Sequence, residues 1–187
     1  MNVMIVGVGG QGTLLASRII GNAALAAGFE VKISEVHGMA QRGGSVVTYV
    51  RFSSEVHEPI VEEGGAEVLI AFEKLEALRY AHYLKKDGVL VVNDCKIAPI
   101  TVTVGMADYP ENILEILRNG HTMSAINAEK VAMGLGNIKV FNLVVLGLAA
   151  KFLGIEKQIW IDAIAKTVPP KTVQLNTNAF LRGYESA

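Results

Sequence analysis

Apolar positions along the chain fall into short runs punctuated by glycine, and the spacing within the runs changes from one to the next. Asn2 to Val8 is a nearly continuous apolar run that ends in Gly7-Val8-Gly9-Gly10-Gln11-Gly12. Thr13 to Ala27 then carries a helical pattern that Gly28 closes, which predicts strand, glycine turn and helix. Glu30 to Val36 predicts a second strand. Ser45 to Phe52, with Val46, Val47, Tyr49 and Val50, predicts a third. Val68 to Phe72 reads as a fourth strand, Glu73 to Leu84 as an amphipathic helix, and Gly88 to Asn93 as a fifth strand entered through a turn at Lys86-Asp87-Gly88. Ile97 to Val104 reads as strand-like, interrupted at Pro99. Beyond Pro110 helical patterns dominate: Glu111 to Arg118, Ala128 to Leu135, Val140 to Phe152, Glu156 to Thr167 ahead of Pro169-Pro170, and Val173 to Tyr184.

Alternation of strands and helices, with strands apolar on both faces, predicts a Rossmann-like α/β fold: a mainly parallel, doubly wound sheet with helices on both faces and a helical C-terminal part. The late helices either complete the layer over the sheet or form an interface, and the pattern leaves both open. No internal repeat or low-complexity linker divides the chain. A single domain over 1–187 is the expectation, at about 150 residues per domain.

Composition narrows the classes. With 51% hydrophobic and 19% charged residues the chain is too apolar for disorder, and a partner covering part of its surface is one expectation. The 17 Lys plus Arg against 18 Asp plus Glu leave a net charge of -1, which excludes a generic basic nucleic-acid binder. The longest apolar run, Val140 to Ala150, falls well short of the roughly 20 residues a membrane span needs. The N-terminus lacks the basic region and cleavage pattern of a signal peptide, so a cytoplasmic protein without membrane contact is expected. Cys95 is the single cysteine. The chain therefore forms no internal disulfide and does not supply the thiolates of an iron-sulfur cluster by itself.

Two segments carry the candidate chemistry. Gly7, Gly9 and Gly12 match G-x-G-x-x-G between a predicted strand and a predicted helix, where backbone N–H groups and the helix N-terminus favour a phosphate. Glu35, at the end of the second strand, stands roughly where a ribose-binding acid would sit. The alternative is that these glycines only allow close strand-to-helix packing. The second segment is Ser34-Glu35-Val36-His37-Gly38-Met39-Ala40-Gln41-Arg42-Gly43-Gly44-Ser45, a glycine-rich loop at the carboxyl end of a strand, where doubly wound sheets bind ligands. Arg42 is suited to bidentate binding of phosphate or carboxylate, and His37 either contacts a ligand or orients a neighbour. Pairing of the same side chains with another subunit is the competing reading. His57, His82 and His121 lack metal-ligand spacing, and neither a nucleophile elbow nor a Walker lysine motif is present.

Together these two segments resemble the gamma-type subunit of the 2-oxoacid:ferredoxin oxidoreductases, and within that family the beta-type subunit of the indolepyruvate branch. Leu135-Gly136-Asn137, Asn142 with Leu146-Gly147, and Asn178-Ala179-Phe180-Leu181-Arg182-Gly183-Tyr184 extend the resemblance over almost the whole chain. Ile126-Asn127-Ala128 departs from the Ile-Asp-Ala expected in the family. The resemblance implies a complex that oxidatively decarboxylates arylpyruvates to acyl-CoA with ferredoxin as electron acceptor. It further implies that thiamine diphosphate and iron-sulfur clusters sit on a larger alpha subunit, that CoA is the co-substrate, and that this chain alone is inactive; whether the isolated chain forms a homodimer is left open. Gly9, Gly10, Gln11, Gly12, Glu35, His37, Met39, Gln41 and Arg42 are then the expected ligand or interface contacts. A free-standing NAD(P)- or FAD-binding module and a non-catalytic assembly scaffold are the alternatives.

Overall fold

The computed structural model describes residues 1–38 and 43–186. Six strands form one sheet: β1 (Asn2–Val8), β2 (Glu30–His37), β3 (Ser45–Ser53), β4 (Ala66–Ala71), β5 (Leu84–Asn93) and β6 (Thr122–Ile126), in the order β2-β3-β1-β4-β5-β6. β1, β4, β5 and β6 pair in parallel, whereas β3 is antiparallel to both its neighbours, β1 and β2. The sheet is thus mainly parallel with one reversed strand. β1 runs through α1 (Thr13–Ala26) to β2, but β2 lands one strand away from β1, and β3 fills the gap as the return arm of a hairpin.

Each face of the sheet has its own core because successive strand residues point to opposite sides. Val3, Ile5, Val50, Val68, Ile70 and Val91 point to one face, where α1, α5 (Ala128–Gly134), α6 (Phe141–Ala150), α7 (Lys157–Thr167) and α8 (Val173–Glu185) cover them. Met4, Val6, Val47, Leu69, Leu90 and Val92 point to the other, under α2 (Lys74–Tyr80) and α4 (Ile113–Gly120). On the first face α6 crosses α8 at Gly147 and Gly183. A Cβ on Gly147 would strike the Phe180 carbonyl and one on Gly183 the Val144 carbonyl, so the two backbones touch where no other residue fits. Trp160 stacks on Phe180 beside that crossing, and both rings are fully buried.

Three expectations change, and one strand is new. The helix expected from Glu73 to Leu84 ends at Tyr80; Ala81–Tyr83 forms one 3₁₀ turn, and Leu84 already belongs to β5. The turn expected at Lys86-Asp87-Gly88 is an irregularity inside β5, with Leu84 pairing Ala66 and Val89 pairing Val68. Gly88 is required there by close approach, because a Cβ would lie 2.9 Å from the Ala66 carbonyl. Ile97 to Val104 is not a strand: Pro99, which offers no N–H to a ladder, caps the four-residue helix α3 (Ile100–Thr103). β6 is a strand that no apolar run announced, since Thr122-Met123-Ser124-Ala125-Ile126 is only half-buried on the sheet edge.

Candidate functional site

At the carboxyl end of β1 the chain turns through Gly9-Gly10-Gln11-Gly12 into α1. Gly10 and Gly12 have φ of 104° and 85°, values that glycine adopts without strain. Gly12 is also pressed against α6, because a Cβ there would lie 2.5 Å from Asn142 Nδ2. α1 therefore begins without a side-chain cap, and its first turn holds no acidic residue. Among the described residues, the N–H groups of Gly10, Gly12, Thr13 and Leu14 have no hydrogen-bond acceptor. Unpaired donors at the positive end of a 14-residue helix favour negative charge.

These donors open into a groove of about 420 Å³ lined by Gly9, Gly10, Gly12, Thr13, Leu14, Glu35, His37 and Val46. The structure thus brings five of the expected residues together: Gly9, Gly10, Gly12, Glu35 and His37. Glu35 accepts a hydrogen bond from Thr48 Oγ1 at 3.3 Å, and His37 Nδ1 lies 3.2 Å from the Gly38 carbonyl. Gln11 has a different place. It is buried, its Oε1 accepts the Val8 N–H at 2.7 Å, and its Nε2 donates to the Phe72 carbonyl at 2.9 Å, so both ends of its amide tie β1 to the end of β4. Met39, Gln41 and Arg42 fall outside the described residues. Thr13, Leu14 and Val46 complete the lining; the glycine fingerprint pointed only to the turn itself.

The placement of Glu35 departs from the dinucleotide pattern. In that pattern the acidic residue ends a strand adjacent to β1, whereas here β3 lies between, which moves it outward by one strand spacing, about 4.8 Å.

The two loops are fastened together. Gly9 N–H donates to the Gly44 carbonyl at 2.8 Å, and Gly43 N–H donates to the Gly9 carbonyl at 3.3 Å. On the opposite face of the sheet, Ser45 Oγ donates to Glu76 Oε2 at 2.5 Å, and Arg79 Nη1 donates to Glu76 Oε1 at 2.8 Å. Burial pushes the Glu76 carboxyl above the ordinary glutamate value, opposed by its hydrogen bonds to Ser45 and Arg79. Glu73, also buried, accepts from the Glu76 N–H at 3.0 Å, the Ile97 N–H at 3.1 Å and the Tyr109 hydroxyl at 2.6 Å. Sequence reasoning passed over Glu73 and Glu76. The signal was two carboxylates three residues apart, directly after an apolar strand.

A second crevice, of about 570 Å³, runs past Lys74, Asp94, Lys96, Tyr109 and Arg118. Two of its cations are already engaged: Lys74 Nζ bonds Asp94 at 3.0 Å, and Lys96 Nζ sits 4.5 Å from the centre of the Tyr109 ring. Its third cation, Arg118, stands among the acidic Glu111 and Glu115 of the same lining. Cys95 is half-buried, and burial followed by the Glu129 carboxylate beside it pushes its thiol up to about 12. One such thiol does not fit the donor set of an iron-sulfur cluster, which needs several thiolates. Among the described residues no three His, Cys, Asp or Glu side chains gather as metal ligands, and no helix is long and apolar enough to cross a membrane.

Comparison with known proteins adds an independent line. A family model described as pyruvate ferredoxin/flavodoxin oxidoreductase matches residues 2–186. The chain is 45% identical to the indolepyruvate oxidoreductase subunit IorB of Thermococcus kodakarensis, over 100% of this chain and 95% of the relative. It is 26% identical to the pyruvate/ketoisovalerate oxidoreductases common subunit gamma of Pyrococcus furiosus, over 96% of this chain and 92% of the relative. The gamma subunit of a keto/oxoacid ferredoxin oxidoreductase from Geobacter sulfurreducens has a similar structure, with a TM-score of 0.74 and 27% identity, covering 98% of this chain and 96% of that one.

Proposed function

Since the chain belongs to the pyruvate ferredoxin/flavodoxin oxidoreductase family, we propose that it is the small subunit of a complex that oxidises arylpyruvates such as indolepyruvate. The overall reaction converts a 2-oxoacid and CoA to acyl-CoA and carbon dioxide, and two electrons pass to ferredoxin. Preference for arylpyruvates is supported by the higher identity to an indolepyruvate subunit than to a pyruvate/ketoisovalerate subunit.

Thiamine diphosphate, carried by the larger subunit, supplies the carbon nucleophile and electron sink for decarboxylation. The part assigned to this chain is binding and orientation. Its single supporting observation is the groove whose N–H groups at Gly10, Gly12, Thr13 and Leu14 await an anion. CoA brings phosphates of the required charge, and Arg42, two residues from Gly44 in sequence, is the side chain we assign to them. On this reading the groove faces the thiamine-bearing subunit and would hold the phosphates of CoA there. Exposed apolar side chains support burial against that partner: Ile100 is 73% exposed and Met106 80%, both in the segment that follows the carboxyl end of β5. A free dinucleotide module is less well supported, because Glu35, though it lines the groove, ends a strand that is not adjacent to β1 as the dinucleotide pattern requires.

The test is co-expression with the larger subunit of such a complex, followed by anaerobic assay of arylpyruvate- and CoA-dependent ferredoxin reduction. Arg42→Ala is expected to leave assembly intact and raise KM for CoA by about tenfold, with kcat changed less. Unchanged KM for both substrates removes CoA from this groove. A chain that elutes without a partner and binds NADH saturably replaces the whole reading with the dinucleotide module.

A further inference from the structure

We infer that Glu76, on the face of the sheet opposite the groove, is a positioning residue that fixes Gly43, Gly44 and Ser45, the residues that lead into β3 beside the groove, through the Ser45 hydroxyl. The inference rests on the groove reading above for its functional consequence, and on geometry alone for the anchoring.

Successive residues of β3 point to opposite faces, so Val46 lines the groove while Ser45, one residue earlier, turns its hydroxyl to α2. There it donates to Glu76 Oε2 at 2.5 Å, with the Tyr80 hydroxyl 3.3 Å from the same Ser45 Oγ. Glu76 is 3% exposed and cannot swing away, because Arg79 holds its other oxygen and Glu73 binds its own N–H. Together with the Gly9 bonds to Gly43 and Gly44, three consecutive residues are pinned where the second loop re-enters the sheet. Glycine backbone is otherwise the most conformationally free in the chain, so two glycines here need such a clamp to hold one shape. A buried carboxylate is a costly device for holding a surface loop unless the loop's position matters.

Hydrogen exchange of the full chain reads the anchoring directly. Glu76→Ala and Ser45→Ala are each expected to speed exchange at Gly9 and at 43–46 by about tenfold, the loss of one charge-assisted hydrogen bond. The double variant is expected to add little to either. Glu76→Gln, which can still bridge Arg79 and Ser45, is expected to stay near wild type. Loosening confined to α2, or no effect of Ser45→Ala, overturns the inference. In the assembled complex Glu76→Ala is expected to raise KM for CoA about fivefold while kcat stays within about twofold, a split that loss of folded protein does not produce. Unchanged KM, in a complex where Arg42→Ala does raise it, also overturns the positioning role. If Arg42→Ala raises nothing, the CoA reading fails, and the exchange data still decide the anchor.

Discussion

On the α1 face, the carboxyl edge of the sheet presents backbone donors to an open groove; on the α2 face, a few ångströms away through the same strands, that edge is closed by buried side chains. The open side uses glycine, Val46 and the first turn of a helix, with Glu35 and His37 at the end of β2 as its ionisable side chains. The closed side uses Glu73 and Glu76, which between them accept bonds from Ser45, Arg79, Tyr109 and two backbone N–H groups. Backbone donors have no side-chain entropy to lose, but a glycine turn has no stiffness of its own. The side-chain network supplies stiffness from behind, where it excludes no ligand.

The largest way to break this division is to damage the groove face alone. Gly183→Ala forces α8 off α6, and α6 carries the Asn142 that packs on Gly12. We expect a loss of about 3 kcal/mol, which thermal unfolding reads as a fall in Tm of roughly 6–12 °C for a chain of this size. Glu73→Ala attacks the other face. It uncaps α2 and strands the Tyr109 hydroxyl and the Ile97 N–H, and an expected cost of about 2 kcal/mol in urea unfolding would be partly restored by Glu73→Gln.

A smaller effect sharpens the contrast through pH. Because burial raises the folded value of Glu76, its share of stability is fully present below the ordinary glutamate value and is lost as pH rises through the higher folded one. Glu76→Gln should therefore cost less at pH 8 than at pH 4, measured as the difference in urea midpoint from wild type. An equal cost at both would place the carboxylate in water. Smallest of all, Cys95 should alkylate far more slowly at pH 8 than a free thiol, with no change in Tm, since its thiol is held up to about 12.

Strands with continuous apolar runs were legible in the sequence, as were α1 and the late helices, because burial on both faces leaves a plain compositional trace. β6 was not, since an edge strand needs only half its residues apolar. The turn signal at Lys86-Asp87-Gly88 misled because Gly88 meets a neighbouring carbonyl rather than reversing the chain. At the site, the glycine turn was readable from spacing, and Glu35 and His37 from their place at the end of β2. The inward turn of Gln11 was not, because whether an amide faces ligand or backbone depends on which carbonyl lies above it, here that of Phe72. Ser45 and Glu76 were invisible for the same reason: they are far apart in sequence, and only the strand order brings them together.

The placement of β3 between β1 and β2 has an evolutionary consequence. In a plain βαβ unit the segment after β2 leads directly into the next helix, so changing its length disturbs the layers. Here β2 and β3 are consecutive antiparallel strands that pair only with each other and with β1. Hairpin tips accept insertions and deletions without moving the strands that carry them. The connection between β2 and β3 can therefore change among members of the family while the sheet, the glycine turn and the anchor are inherited unchanged.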